Sequence, residues 1–203
     1  AFSMCETFKK TNFVPGGFSE FVKLSKSHLQ HSTFKIPANM DWKEAIFTEP
    51  LACCVRNVNR LNLIQRDTVV VIGLGSIGLM MASLLKRLGC YVIGIDLDEA
   101  RCKNATGFGV DEYFLSYDEG YLNRLRDLTQ NRMADGVIFT AGPATLLNQS
   151  LNWVRNSGFI NLFSHLSGEV AEIDTAELYH REIQLISTYS ASPSSLRRRA
   201  HIA

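Results

Sequence analysis

Gly73-Leu74-Gly75-Ser76-Ile77-Gly78 fits the pattern GxGxxG and follows a β-branched run, Thr68–Ile72. That spacing suits the binding of a pyrophosphate. Gly73 permits a tight turn out of a strand, Gly75 lets the backbone reach the phosphates, and Gly78 allows close helix–sheet packing. A helix opening at Ser76 and Ile77 then offers free amides and a partial positive charge to the anion. Asp96 stands 23 positions after Gly73, at the end of the next apolar run. An acid placed there hydrogen-bonds the hydroxyls of an adenosine ribose. It also repels a 2′-phosphate, which favours NAD over NADP, whereas the nearby Arg101 is of the type that accommodates that phosphate. The competing reading is a tight strand–helix turn in another doubly wound protein, such as a methyltransferase, whose cofactor ribose also meets an acid. A short-chain reductase is disfavoured, because no tyrosine is followed four positions later by lysine.

Other reactive side chains are scattered. Pro50 is tolerated as a first helical residue, so Glu49 falls at or next to the N-cap of a helix from Pro50 to about Arg60. His28 and His31 lie three apart in KSHLQHS, but with no third ligand they read as surface histidines. His165 and His180 are isolated, and His201 belongs to the terminal tail. The five cysteines form no CxxC pair and are odd in number, which indicates a reducing compartment, by default the cytoplasm. Cys53 and Cys54 are adjacent in a helical pattern, point in different directions and read as packing residues.

These residues need a scaffold, and the hydrophobic pattern supplies one. From Asp67 onward short apolar runs occur at Thr68–Ile72, Tyr91–Leu97, Glu112–Leu115, Val137–Ala141, Phe159–Phe163 and Gln184–Tyr189. Helical spacing fills the gaps at Ser76–Leu88, Asp98–Gly107, Glu119–Thr129, Ala144–Arg155 and Thr175–Arg181. Continuous apolar strands alternating with helices predict an α/β fold, a doubly wound six-stranded parallel Rossmann sheet over residues 67–203. Before it, VPGGFSEFVKLS reads as an antiparallel strand from a β-rich unit spanning residues 1–40. Residues 41–66 read as bridging helices, with Asp41 and Glu44 at capping-box spacing.

Composition excludes several classes. The 203 residues are 46% hydrophobic and 20% charged with net charge +1, which gives no electrostatic case for nucleic acid or an anionic membrane. The basic triplet Arg197–Arg199 reads as a solvated helix face. No apolar run approaches the roughly 18 residues of a membrane span, and the first residues lack a signal-peptide pattern.

The motifs together resemble the zinc-dependent medium-chain alcohol dehydrogenases, closest to their polyol (sorbitol) and threonine dehydrogenase branch. GGFSEFVKLSKSHL, FKIPANMDWKEAIFTEPLA, VVVIGLGSIGLMMASLLKRLG and GVIFTAGPATLLNQSLNWVRNSGFINLF carry the resemblance over nearly the whole chain. It implies a β-rich catalytic domain beside the nucleotide domain, and hydride transfer between a polyol or other secondary alcohol and NAD. A zinc ion in the intact parent would lower the pKa of the alcohol. Thr140, Ala141 and Gly142 would line the adenosine side, and Phe163, Ser164 and His165 the nicotinamide side. Glu49 would stand at the catalytic metal, directly or through water; capping a helix remains its plain alternative. Cys5 matches the last cysteine of a structural-zinc lobe whose partners would lie upstream, so it is expected to be unoccupied. The family's catalytic cysteine, His-Glu pair and proton-relay hydroxyl would also precede Ala1. The chain is therefore expected to be truncated at both ends and inactive alone. A nucleotide-binding module without catalysis stays open. The resemblance further implies a homodimer or homotetramer joined through the strand near 184–190.

Overall fold

The computed structural model describes Glu6 and residues 14–115, 119–168 and 170–191. Cys5, Arg197–Arg199 and His201 lie outside the described residues.

Six parallel strands form one sheet: β1 (Thr68–Ile72), β2 (Tyr91–Ile95), β3 (Glu112–Phe114), β4 (Ala134–Phe139), β5 (Val154–Leu162) and β6 (Gln184–Ser187). Their order is β3-β2-β1-β4-β5-β6. The chain thus winds outward one way from β1 through β3, returns, and winds the other way through β6. The reversal leaves a crevice between the C-terminal ends of β1 and β4, where nucleotides bind in such sheets. Covering both faces makes the central strands apolar throughout: all five residues of β1 and all six of β4 are buried.

The helices are α1 (Lys26–His31), α2 (Trp42–Ala45), α3 (Thr48–Val58), α4 (Ser76–Arg87), α5 (Glu99–Ala105), α6 (Glu119–Leu128), α7 (Leu146–Gln149) and α8 (Thr175–His180). Gly78, Met81, Ala82 and Leu85 form the buried stripe of α4, at the three- and four-residue spacing of one helix face. One core layer packs Val69, Val71, Met81 and Leu85 with Cys54 and Val58 of α3. The opposite layer gathers Val70, Ile72, Val137, Tyr121, Leu146 and Trp153.

Three expectations change. The predicted helix 144–155 is one α-turn, α7, followed by a 3₁₀ turn at Ser150–Trp153 that runs directly into β5. β5 therefore begins at Val154, earlier than its apolar run. Its polar start, Arg155-Asn156-Ser157, is irregular: Ser157 has φ 56° and the register shifts opposite Ala134–Gly136. Secondly, α3 starts at Thr48 with Phe47 as N-cap, so Pro50 is its third residue. The position still suits proline, because the first four helix amides have no intrahelical acceptor. Thirdly, the expected strand in VPGGFSEFVKLS is reduced to an isolated antiparallel bridge, Val14–Lys23. Phe18 and Phe21 stand exposed, and among the described residues that segment pairs with no strand of the sheet. Asp41 does cap α2, its Oδ1 accepting from Lys43 N–H at 2.9 Å.

Candidate functional site

Each glycine of the turn has its own cause. Gly73 has φ 89°, and a Cβ there would stand 2.8 Å from both Ala141 Cβ and Thr140 Oγ1. A Cβ on Gly78 would lie 1.9 Å from the Gly73 carbonyl oxygen, so α4 sits as close to the turn as backbone allows. At Gly75 the opposite holds: nothing lies within 4 Å of a Cβ. Its open side leaves the backbone within reach of an incoming group. Gly75 is the N-cap of α4 and makes no side-chain cap bond. The first bond inside the helix runs from Leu79 N–H to Gly75 O at 2.9 Å. The amides of Ser76, Ile77 and Gly78 therefore have no intrahelical acceptor and sit at the positive end of the macrodipole.

Two further residues hold the turn in place. Leu74, 1% exposed, seats against Gly94 of β2, whose Cβ would meet its methyls at 2.9–3.0 Å. Thr140 Oγ1 donates to the carbonyls of Ile72 at 3.0 Å and Gly73 at 2.8 Å. Its hydroxyl is thus spent on fixing the turn, while Ala141 and Gly142 line the crevice. Leu74 and Gly94 were not singled out by the motif, although the apolar second position of the glycine pattern was a usable signal.

Asp96 faces the same crevice. The cleft, about 410 Å³, is lined by Gly73, Asp96, Asp98, Arg101, Ala141 and Gly142 among others. The Asp96 carboxylate accepts Leu74 N–H at 2.8 Å and Asp98 N–H at 3.0 Å. A carboxylate has about four acceptor sites, so two remain for a ligand. Arg101 lies 3.7 Å from Asp96 and 3.9 Å from Asp98, an ion-pair distance to both acids rather than a tight hydrogen bond. Asp98 itself caps α5 through Ala100 N–H and Arg101 N–H.

Past β5, Phe163 N–H donates to Phe139 O at 3.1 Å, and Phe163 packs on the α3–α4 core layer. Ser164 Oγ donates to the same carbonyl at 3.5 Å, and His165 is exposed. This loop is paired to the Ala141–Gly142 side of the cleft by Ala144 N–H to Ser167 O and Ser167 N–H to Gly142 O. The two halves of the crevice are therefore joined by backbone.

Glu49 lies away from that cleft's lining, exposed in the first turn of α3. Its Oε1 accepts the Cys53 thiol at 3.1 Å. Burial, and then the Glu49 carboxylate, push that thiol up to about 12. Cys54 is fully buried, so the neighbouring cysteines do point apart. Neither histidine of α1 joins a metal cluster; no group of three His, Cys, Asp or Glu among the described residues could hold a metal ion.

The family described as zinc-binding dehydrogenase matches residues 76–201. The chain belongs to that family. A D-arabitol-phosphate dehydrogenase from Enterococcus avium is 28% identical over 81% of this chain and 47% of its own length. A sorbitol dehydrogenase from Halalkalibacterium halodurans is 27% identical over 88% of this chain and 52% of its own. Among solved structures, a Sinorhizobium meliloti 1021 protein bound to NADP superposes with TM-score 0.70 at 25% identity. That match covers 81% of this chain and 49% of the other. The chain spans about half the length of the curated relatives it matches.

Proposed function

We propose that these residues are the cofactor-binding portion of a zinc-dependent oxidoreductase that moves a hydride between NAD and a polyol or other secondary alcohol. The observation that carries the reading is the crevice at the β1/β4 reversal. Open backbone at Gly75, unpaired amides on α4 and a half-filled Asp96 carboxylate meet there, a donor and acceptor set that fits an adenine dinucleotide. The nicotinamide supplies the hydride chemistry. This chain's own residues bind and orient. The α4 amides take the pyrophosphate, Asp96 takes the ribose hydroxyls, and Ala141 and Gly142 wall the adenosine half. Phe163, Ser164 and His165 border the nicotinamide half.

NAD is the cofactor assigned here, and Asp96 is the reason. Its charge faces the position of a 2′-phosphate, and Arg101 already lies within ion-pair distance of two acids, Asp96 and Asp98. NADP is the second reading, favoured by the bound nucleotide of the Sinorhizobium meliloti protein. Titration of the chain with NADH and NADPH, followed by nicotinamide fluorescence, separates them. At least tenfold tighter NADH binding is expected, and equal affinities would reject the role given to Asp96.

The described residues do not by themselves fit a zinc ion. Catalytic zinc takes three protein ligands, and Glu49 with Cys53 makes two donors. Glu49 as a metal-side acid would need further ligands from outside the described residues. The alcohol substrate, the oligomer built on β6 and the cytoplasmic location are parts of the same proposal. β6 is an outer strand with Leu185 45% exposed, which suits edge pairing with a second copy. No helix among the described residues is long and apolar enough to cross a membrane.

A further inference from the structure

Two fully buried asparagines cross the core layer between α3 and the sheet. Asn57 Nδ2 donates to Asn161 Oδ1 at 2.8 Å, and Asn161 Nδ2 donates to Ile186 O at 3.1 Å. Both residues are 0% exposed, and Asn57 Nδ2 also lies 3.8 Å from the Met81 sulfur of the α3–α4 core layer. Packing alone does not call for them, because leucine or valine would fill such a layer without desolvating two amides. Directional bonds fix what apolar contacts leave free. Asn57 Oδ1 is buried without a partner among the described residues, so the pairing rests on the Nδ2 donors. A slip of α3 along β5 would strand the Asn57 donor and the Asn161 acceptor as well, so one register is selected. Flanking contacts hold the same register: Arg56 donates to Tyr189 O and Ser190 O, and Arg60 to Ser187 O and Thr188 Oγ1.

Asn161 stands two residues before Phe163, the start of the loop that borders the nicotinamide half. We infer that Asn57 and Asn161 are positioning residues that lock the end of β5, and with it Phe163–His165, for the nicotinamide half of the cofactor. The inference rests on the cofactor reading above. It assigns the pair a role confined to one half of the site, since the adenosine half is held by Thr140, Leu74 and Asp96 instead.

The test uses the 203-residue chain with two ligands, NADH and ADP-ribose, the second lacking the nicotinamide. In the double variant Asn57→Leu/Asn161→Val, ADP-ribose affinity is expected to stay within twofold while NADH affinity falls about tenfold. Unchanged NADH affinity in the folded variant overturns the proposal, and so does an equal loss for both ligands. If the double variant does not fold, Asn57→Ser serves instead, with a loss of at least threefold for NADH alone expected and an equal or absent loss overturning. Failure of the unaltered chain to bind either ligand would reject the cofactor reading itself, a result distinct from all of these.

Discussion

Asp135 and Asp96 sit at opposite ends of the same sheet and are used in opposite ways. Asp135, near the start of β4 and 3% exposed, accepts four hydrogen bonds: two from Arg132 at 2.8 and 2.9 Å, one from Arg155 at 2.6 Å and one from Thr68 N–H at 2.7 Å. Those bonds exhaust its acceptor sites. Asp96, at the far end beside β2, accepts two and faces a cleft. Residue type does not separate the two acids; unused acceptor capacity does, and on the proposed reading a ribose takes it up. The saturated acid ties β1, β4 and β5 together where the strands start. The half-filled acid waits where they end, beside the free amides of α4.

Removing each acid should therefore break different things. Asp135→Ala strands a buried amide and two guanidiniums, with Arg132 half-exposed and able to turn to water. A loss of about 3 kcal/mol is expected, roughly 6–12 °C in Tm for a chain of this size, with NADH affinity of the folded protein unchanged. Asp96→Ala should do the reverse. Differential scanning calorimetry is expected to show about 1–2 kcal/mol lost, less than for Asp135→Ala, while titration calorimetry shows NADH weakened about 10- to 100-fold. If both variants lose stability and affinity together, the division between the two ends fails.

Acid titration sharpens the contrast by a smaller amount. Burial alone would raise Asp135, but the hydrogen bonds from Arg132, Arg155 and Thr68 outweigh it and hold the carboxyl below the usual range. A depressed carboxylate contributes stability that is present above its unfolded pKa of about 4 and is lost as pH falls through the folded value. Urea unfolding from pH 6 down to pH 3 should show stability falling, and Asp135→Asn should flatten that slope. A slope unchanged by the substitution would mean that other groups control acid unfolding. The smallest effect concerns a third acid, Glu49. Removing its charge with Glu49→Gln should speed alkylation of Cys53 at pH 8.5 a few-fold, because that carboxylate raises the thiol. No change in rate would show that burial alone protects it.

Local chemistry made much of the fold legible. β1 runs over the expected Thr68–Ile72, and β2, β3 and β6 begin where their apolar runs begin. Turn and helix were equally readable, since Gly73, Gly75 and Gly78 each meet a constraint that glycine alone satisfies or leaves open. Nonlocal features were not. The start of β5 hides behind Arg155, Asn156 and Ser157, polar residues that suggest a loop until Arg155 is seen reaching Asp135. Nothing in the chain links Asp135 to Thr68, 67 positions earlier, or Asn57 to Asn161, 104 positions later. VPGGFSEFVKLS alternates as a strand should, but alternation forms a strand only when a neighbour pairs with it. For Glu49 the sequence left a cap and a metal-side acid open. The structure gives α3 its N-cap at Phe47 and Glu49 a thiol partner, so Glu49 is not the cap.

The proposed function puts an adenine dinucleotide across the β1/β4 crevice with its ribose on Asp96. A crystal structure of the chain grown with NADH tests it most directly. Pyrophosphate oxygens over Gly75 and the α4 amides, with ribose hydroxyls within about 3 Å of the Asp96 carboxylate, are the expected result. Nucleotide bound elsewhere, or an empty glycine corner at saturating NADH, would contradict it.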